Sequence, residues 1–316
     1  MTQSQESAAA ENTRAGAASS IASVVCFGYV NPGLIFSVDK YPAANAGAYV
    51  SHKQPFIGAD CSMAARTLAR WGVPTHLIGN ALGDDAAGHT TLERLQAEQV
   101  HTHIAMRRDL RTPEEVDVID RAGTRTFFVE STPVWNTLME ADLGAIEHAA
   151  MVYVDWYVGE PAQLAVARAR QHHVPVFLNV EYSLREPQKY LELVSQATYV
   201  QSPLNDSAEF HEDPCALAQA ICAAGPKMAF VTQGRHGALA LQDGVSQRPC
   251  IQVPATPVDI LDAQGAGATF SAAAMYGLLQ GWAVDAVAAF ATRAASLKCA
   301  KFGLIDLSVE QIVAGG

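Results

Sequence analysis

Residues 262–270 read Asp-Ala-Gln-Gly-Ala-Gly-Ala-Thr-Phe, and an uncharged, alanine-rich stretch runs from Gly265 to Val284. Gly265 and Gly267 allow a tight turn that aims consecutive backbone N–H groups at one point. Because the N-terminus of the following helix adds partial positive charge there, Gly265, Ala266 and Gly267 are predicted to form an anion hole suited to a phosphate group. A turn required only by packing is the alternative, since Gly-x-Gly before a helix is a weak motif alone. The helix is predicted to be buried within the protein rather than to span a membrane.

A second glycine-punctuated turn lies upstream, where residues 231–238 read Val-Thr-Gln-Gly-Arg-His-Gly-Ala after the apolar run 228–232. The two turns are about 30 residues apart, which places them at the carboxyl ends of neighbouring strands, where open α/β sheets bind ligands.

Apolar runs alternate with helical patterns along most of the chain. This rhythm predicts a mostly parallel sheet covered by helices on both faces. Between residues 106 and 133 it is interrupted by two short strands around a turn at 121–123, which predicts a hairpin in a small accessory sheet. The predicted strands lie at 23–28, 75–79, 151–154, 176–180, 198–200 and 228–232, and the predicted helices at 58–72, 88–99, 162–170, 187–194 and 215–224.

Composition excludes several classes of protein. The 316 residues include 49% hydrophobic and 17% charged residues, which excludes a disordered or fibrous chain. The net charge of −11 opposes binding to nucleic acid or to an anionic membrane surface. The six cysteines lack metal-binding spacing and are expected to be free thiols in a reducing cytoplasm. Residues 1–23 are expected to form a disordered tail.

Taken together, these motifs resemble those of the ribokinase/PfkB family of carbohydrate kinases, from about Val24 to Ile305. Three segments, at 38–42, 178–181 and 298–303, look most like the ketohexokinase branch of that family. The segments that carry the family resemblance are Gly58-Ala59 with Leu68-Ala69-Arg70-Trp71-Gly72, Gly83-Asp84-Asp85-Ala86-Ala87-Gly88, and the two turns at 231–238 and 262–270.

The resemblance implies a three-layer α/β/α core over residues 24–316, with a small β-sheet lid from segments 33–56 and 106–133 that commonly joins two copies in a homodimer. It also implies ATP with Mg²⁺, and transfer of the γ-phosphoryl group to a hydroxyl of a sugar or sugar-like metabolite. The nucleotide contacts carried over from the family are Asn205, Thr232, Gly234, Gly237 and Asp262.

The sequence departs from the family pattern at the catalytic base. The family has an aspartate directly after Gly-Ala-Gly, whereas this chain has Ala268. A methyl group accepts no proton, and loss of a positioned general base typically costs about 10²–10⁴ in rate. The anion hole would persist, because its donors are backbone groups.

The sugar side of the pattern is also altered. The family aspartate near the first strand is Gly33, and the Gly-Gly-x-x-x-Asn loop starts at Gly58 with Ala59 as its second residue and Met63 as its last. Asp60 is a candidate replacement partner for a sugar hydroxyl. The N-x-x-E element that organises Mg²⁺ in the family has one extra residue between Asn205 and Glu209, so Glu181 and Asp206 are further candidate metal ligands.

Three functions follow as alternatives. The first is a sugar kinase that is inactive or strongly impaired by Ala268, and that Ala268→Asp would restore. The second is a pseudokinase that binds a nucleotide, sugar or other metabolite in a regulatory role. The third is a repurposed enzyme acting on another anionic substrate. A single Asp-to-Ala change would indicate an engineered inactive variant, whereas changes at Gly33, Met63 and Ala268 together favour natural divergence.

Overall fold

The computed structural model describes residues 23–180, 187–204, 213–243, 250–304 and 306–314. The expected tail, except for Ser23, and the candidate residues Glu181, Asn205, Asp206 and Glu209 lie outside these residues. Within the described ranges, no helix has the length and apolar character needed to cross a membrane.

A nine-stranded sheet forms the centre of the protein. Its strands are β1 (Val24–Phe27), β4 (Thr75–Ile78), β6 (Val100–His103), β10 (Met151–Asp155), β11 (Val176–Asn179), β12 (Tyr199–Pro203), β13 (Met228–Thr232), β14 (Ala238–Gln242) and β15 (Ile251–Val253). They lie in the order β15-β14-β13-β12-β11-β10-β1-β4-β6. Every neighbouring pair from β13 to β6 is parallel, which confirms the predicted sheet. The strands β1, β10 and β11 are buried along their whole length, as expected for strands covered on both faces.

Helices cover both faces of this sheet, which confirms the three-layer core. Along β1, Val24 and Cys26 join one apolar cluster, whereas Val25 and Phe27 join the other, because successive side chains of a strand point to opposite faces. The helices are α1 (Asp60–Arg70), α2 (Ala86–Ala97), α3 (Glu160–Gln171), α4 (Pro187–Gln196), α5 (Pro214–Ala223), α6 (Ala266–Leu279), α7 (Val284–Cys299) and α8 (Val309–Ala314).

Four of the five predicted helices begin one or two residues away from the predicted start, and for two of them the structure gives a local reason. The α1 helix begins at Asp60 rather than at Gly58, because Gly58 ends a strand and Ala59 has a φ of 66°. The α2 helix begins two residues before Gly88, because the Asp85 side chain accepts a hydrogen bond from the Gly88 N–H at 2.8 Å and caps the helix.

A separate four-stranded sheet contains the predicted hairpin. Its strands are β2 (Asn31–Val38), β3 (Val50–Gly58), β8 (Glu115–Ile119) and β9 (Arg125–Val129), and a further short pair is formed by β5 (Leu82–Gly83) and β7 (Met106–Arg107). The four strands lie in the order β3-β2-β8-β9. The β8 and β9 strands pair antiparallel, and the Asp120 side chain closes their turn by accepting from the N–H groups of Ala122 and Thr124. The segments predicted as a lid therefore contribute to one sheet.

The expectation of six free cysteines is wrong. Cys215 and Cys250 form a disulfide, with their Cα atoms 5.9 Å apart. The reason is the antiparallel return of β14 and β15, which the sequence analysis missed and which brings Cys250 beside the first turn of α5. Cys26, Cys61, Cys222 and Cys299 are free, as expected.

Candidate functional site

The N-terminus of α6 lies between two cavities. Gly265 caps the helix with a φ of +74°, and a Cβ added to it would lie 2.6 Å from the Met63 sulfur. Only glycine meets both conditions without strain. Ala266 and Gly267 line the first cavity and Gly265 lines the second, so the predicted anion hole separates the two.

The first cavity has a volume of about 520 Å³. It lies at the carboxyl end of β13, where the predicted residues Thr232, Gly234 and Gly237 come together with Ala266 and Gly267. Gly237 has a φ of +90°, and a Cβ there would lie 2.0 Å from the Val253 carbonyl oxygen. The remaining walls are largely apolar and include Pro257, Val258, Ile260, Phe270 and Ala295.

The second cavity has a volume of about 340 Å³. It is lined by residues of the four-stranded sheet, of the turn before α1 and of the α6 N-terminus. Of the residues predicted to bind the substrate, Ala59, Asp60 and Met63 line it. Gly33 and Gly58 lie instead against Glu115, which itself lines the cavity. Sequence analysis missed the other lining residues as a set, which comprises Tyr29, Asn31, Glu115, Arg125, Phe127, Val129, Trp135, Tyr157 and Gln264.

Ala268 belongs to a buried apolar cluster that meets the second cavity at Met63. Its methyl group is wholly buried, with Ile35, Phe56, Met63 and Ile119 as the other buried members. The position of the family's base is therefore surrounded by hydrocarbon and a thioether, a setting that disfavours a charged carboxylate.

Glu115 brings a carboxylate close to the position where the family has its aspartate. It lies opposite Gly33 in the parallel register of β2 and β8. A Cβ added to Gly33 would lie 2.3 Å from the Glu115 carbonyl oxygen, so no larger residue fits there. The Glu115 side chain accepts a hydrogen bond from the Asn31 amide and lines the second cavity. The signal that reveals this carboxylate is the pairing of two strands far apart in sequence.

Asp117 lies two residues further along β8. It is wholly buried, neither of its oxygens has a hydrogen-bond donor among the described residues, and the Arg125 guanidinium is 3.7 Å away. Burial, together with the neighbouring Glu115 carboxylate, raises the pKa of Asp117 to about 8.

Asp155, at the carboxyl end of β10, fixes the start of α1. Its carboxylate accepts from the Cys61 N–H at 2.9 Å and from the hydroxyls of Tyr153 and Tyr157. Burial and the charge of Asp60 raise the pKa of Asp155 to about 7, against the lowering effect of these hydrogen bonds. Asp60 in turn accepts from the Asn179 amide at 3.0 Å.

Asp262, which was predicted to contact the nucleotide, is not among the residues that line the first cavity. The buried Lys298 ammonium is 2.8 Å from its carboxylate and donates to its carbonyl oxygen at 2.7 Å. The carboxylate also accepts from the N–H groups of Gln264 and Gly303. Asp262 therefore holds the turn that precedes the anion hole, together with Lys298.

Aromatic side chains form much of the outer wall of the second cavity. The rings of Tyr29 and Trp135 lie 4.7 Å apart, and Tyr157 is 6.1 Å from Tyr29. The Arg125 guanidinium stacks over Phe127. An aromatic and cationic wall above carboxylates and amides suits a ligand with both hydroxyl groups and apolar faces.

Comparison with known proteins assigns the family. Residues 22–312 match the pfkB family of carbohydrate kinases. The chain belongs to this family. The two glycine turns and the second cavity are thus parts of a pfkB carbohydrate kinase scaffold.

Ribokinases are among the relatives of this pfkB carbohydrate kinase. Ribokinase from Bacillus subtilis is 27% identical over 289 residues, which cover 89% of this chain and 94% of that protein. A putative ribokinase from Agrobacterium tumefaciens has the same fold, with a TM-score of 0.79, 21% identity, and coverage of 93% of this chain and 97% of that one. Arabidopsis thaliana ribokinase, solved with ribose and ATP, has a TM-score of 0.72 and 19% identity, with coverage of 93% and 98%.

The described residues do not supply a magnesium site of their own. Among them, no group of three or more His, Cys, Asp and Glu side chains is placed to hold a metal ion. The predicted candidates Glu181, Asp206 and Glu209 lie outside the described residues. The fit of Mg²⁺ to this chain therefore stays a prediction from the family.

Proposed function

We propose that this pfkB family member binds ATP in the first cavity and a sugar or sugar-like metabolite in the second, and that its phosphoryl transfer is strongly impaired by Ala268. The observation that carries this proposal is the contrast between an intact α6 N-terminus and an apolar cluster at the base position.

The first cavity suits a nucleotide. Its apolar walls match a base, and the backbone N–H groups at the start of α6 match a triphosphate. Its volume of about 520 Å³ lies in the range of small-molecule sites. The relative from Arabidopsis, solved with ATP, supports the nucleotide class. Mg²⁺ would accompany the nucleotide and neutralise its phosphate charge, as the family resemblance implies.

The second cavity suits a polyhydroxylated ligand. Asn31, Asp60 and Glu115 offer an amide and two carboxylates for hydroxyl groups, and Tyr29 and Trp135 offer aromatic faces. A bound hydroxyl near Gly265 would lie next to the anion hole, which is the arrangement that phosphoryl transfer needs.

Proton transfer is the missing step. A hydroxyl attacking the γ-phosphoryl group must lose its proton, and Ala268 accepts none. Asp60 and Glu115 are the carboxylates that line the second cavity, and they already accept from Asn179 and Asn31. We expect the resulting rate to lie about 10²–10⁴ below that of a kinase with a positioned base.

A regulatory pseudokinase is the second candidate function. It is favoured by the contact of Met63 with the anion-hole turn, because a thioether replaces the family's asparagine on the sugar side. In this role the chain would bind nucleotide and metabolite without turnover.

We also propose that the four-stranded sheet forms the contact between two copies of the chain in a homodimer. Phe127, Phe128 and Val129 on β9 are exposed, as are Tyr49 and Val50 at the start of β3. Apolar residues concentrated on one sheet are typical of a protein interface.

The test combines binding with turnover. Isothermal titration with a non-hydrolysable ATP analogue measures the first cavity, and a coupled ATP-turnover assay over a panel of sugars and polyols measures the reaction. The proposal expects nucleotide binding together with trace turnover. Rapid turnover by the unaltered chain would overturn the impairment, and absence of nucleotide binding by folded protein would overturn both candidate functions.

A further inference from the structure

A network of polar groups holds the start of α1 at the second cavity. Asp60 lines the cavity and is the first residue of the helix, and Ala59 before it makes no side-chain capping bond. The first N–H groups of α1 are bonded instead by residues at and just after the end of β10. The Asp60 N–H donates to the Tyr157 hydroxyl at 3.0 Å, and the Cys61 N–H donates to the Asp155 carboxylate.

Tyr157 connects this helix start to a buried carboxylate. Its hydroxyl accepts from the Asp60 N–H and donates to the Asp155 carboxylate at 3.0 Å. The Tyr157 side chain lines the second cavity, whereas Asp155 is wholly buried and does not line it. Asp155 therefore acts on the cavity through Tyr157 and the start of α1 rather than by direct contact with a ligand.

Asn179, at the end of β11, holds the side chain of Asp60. Its amide N–H groups donate to the Asp60 carboxylate at 3.0 Å and to the Tyr153 hydroxyl at 3.1 Å. Asn179 is only 1% exposed, and its Oδ1 has no hydrogen-bond partner among the described residues. A buried acceptor without a donor costs free energy. The amide thus leaves its oxygen without a partner in an orientation that uses one N–H group on Asp60.

Capping of α1 alone does not account for this arrangement. Asp155 and Tyr157 supply the acceptors that the helix start needs. Asn179 satisfies no backbone group of α1, because its bonds go to the Asp60 carboxylate and to a tyrosine hydroxyl. A carboxylate has about four lone-pair sites, so that of Asp60 can accept from the protein and from a ligand hydroxyl together.

We propose that Tyr157 and Asn179 are positioning residues for sugar binding, which fix the backbone and the carboxylate of Asp60 so that this carboxylate accepts from a sugar hydroxyl. The inference rests on the proposed sugar site in the second cavity. A carboxylate that is held in place before the sugar arrives reduces the ordering cost of binding. Removal of Asn179 should therefore weaken sugar binding, although Asn179 does not line the cavity.

Asp155 gives the network a dependence on pH. Burial, and then the charge of Asp60, raise the pKa of Asp155 to about 7. The titratable side chains that face it among the described residues are Asp60 and Cys61 on α1, Tyr153 and Tyr157 at the end of β10, and Cys26 on β1. The ionised carboxylate accepts from the hydroxyls of Tyr153 and Tyr157 and from the Cys61 N–H. A proton on Asp155 either displaces one of these donors or lacks an acceptor itself, so sugar affinity should fall as the pH drops below about 7.

The experiment is isothermal titration of D-ribose, D-fructose, D-glucose and sorbitol, each without nucleotide, into the full chain and three variants. Tyr157→Phe keeps the ring and removes the hydroxyl, and Asn179→Ala removes the buried amide. Tyr199→Phe, on β12 and outside the lining of the second cavity, is the matched control. The affinity for a non-hydrolysable ATP analogue is measured in parallel and should be the same in all four proteins.

We expect the sugar that gives the largest heat to bind about five- to tenfold more weakly to Tyr157→Phe and to Asn179→Ala, and equally well to Tyr199→Phe. Weaker binding by Tyr157→Phe alone identifies a direct contact of its hydroxyl with the sugar and overturns the positioning role. Equal binding by all four proteins overturns the inference and leaves the sugar site in place. If the folded chain binds the ATP analogue but none of the four probes, the sugar site is overturned, and the inference with it.

A pH profile decides the matter if Asn179→Ala fails to fold. From about pH 8 to about pH 6, the sugar affinity of the unaltered chain should fall about fivefold. Asp155→Asn cannot ionise in this range, so its sugar affinity should stay constant. A purely structural role of Asp155 would change the stability with pH and leave the sugar affinity unchanged. A constant affinity in the unaltered chain, or the same slope in both proteins, overturns the inference.

Discussion

The two cavities that meet at the N-terminus of α6 differ in how closely they keep the family pattern. In the first cavity, Thr232, Gly234 and Gly237 stand together with Ala266 and Gly267, as the family motifs predict. In the second, Met63 replaces a polar family residue, as do Gly33 and Ala268 beside it, and Glu115 brings in a carboxylate from another strand. The first cavity, which depends on backbone groups and glycine turns, keeps the family pattern. The second cavity, which depends on side chains, departs from it.

This difference has a physical reason. Backbone N–H groups and glycine turns depend on the path of the chain, which the sheet fixes. Hydroxyl recognition and proton transfer depend on individual side chains, so single substitutions remove them without disturbing the fold. We therefore expect substitutions to affect one cavity and spare the other.

The largest expected effect is on the turn that both cavities share. Lys298→Met removes the partner of the buried Asp262 carboxylate and should lower the free energy of unfolding by about 3–5 kcal/mol. Urea unfolding followed by circular dichroism measures it. The double variant Lys298→Met/Asp262→Asn, which leaves no unpaired charge, should lose much less. Equal losses in the two variants would contradict the importance of this ion pair.

The next effect separates the two cavities. Glu115→Gln should weaken sugar binding by about 1–3 kcal/mol, because a charged acceptor for a hydroxyl is lost, and should leave the affinity for an ATP analogue unchanged. Isothermal titration with the sugar that gives the largest heat in a panel checks both. The matched control is Glu130→Gln, next to β9, whose side chain is exposed. A parallel loss of nucleotide affinity would argue against separate cavities.

Asp117 gives a prediction on pH. Its pKa of about 8 lies above the ordinary value, so the folded protein keeps a proton that the unfolded chain loses above about pH 4. Stability that is present at low pH is therefore lost as the pH rises toward 8. Asp117→Asn cannot ionise, so its gain in unfolding free energy over the unaltered chain should grow from near zero at about pH 4 to several kcal/mol at about pH 8.5.

Thermal or urea unfolding across this pH range tests the prediction. Glu115, Arg125 and Asp262 also act on Asp117, and they are unchanged in the variant. A gain that is constant with pH would show that Asp117 does not titrate in this range.

The smallest effect concerns the turn before α1. Ala59 has φ 66° and ψ 143°, a conformation that favours glycine. Ala59→Gly should therefore stabilise the protein by about 1 kcal/mol. Ala167→Gly, at an exposed position inside α3, should instead destabilise it by about 0.5–1 kcal/mol. The same sign for both variants would contradict the strain at Ala59.

The sequence predicted the sheet and the first cavity because both depend on local patterns. Alternating apolar runs indicated the strands of the parallel sheet, and two glycine turns indicated Gly237 and Gly265, which have the positive φ angles that glycine favours. The family resemblance located Ala268 from the motif at 262–270 alone, because the residue directly follows Gly-Ala-Gly.

The second cavity was predicted only in part because it depends on contacts between distant segments. Glu115 faces Gly33 through the register of two strands, and local periodicity does not specify register between such strands. The Cys215–Cys250 disulfide was missed for a similar reason, since an antiparallel return brings the two residues together. Arg125, Trp135 and Tyr157 line the cavity, and no spacing motif marks them.

The most direct test of the account measures ATP turnover by four proteins side by side: the unaltered chain, Ala268→Asp, Met63→Asn and the double variant. Because Ala268 packs against Met63 in an apolar cluster, a carboxylate at 268 alone lacks polar neighbours there. We predict that the double variant gains on the order of 10² or more in sugar-dependent turnover, and that Ala268→Asp alone gains much less. If all four proteins fold and bind nucleotide but none shows ATP turnover with any sugar of the panel, the account is contradicted and a pseudokinase is favoured.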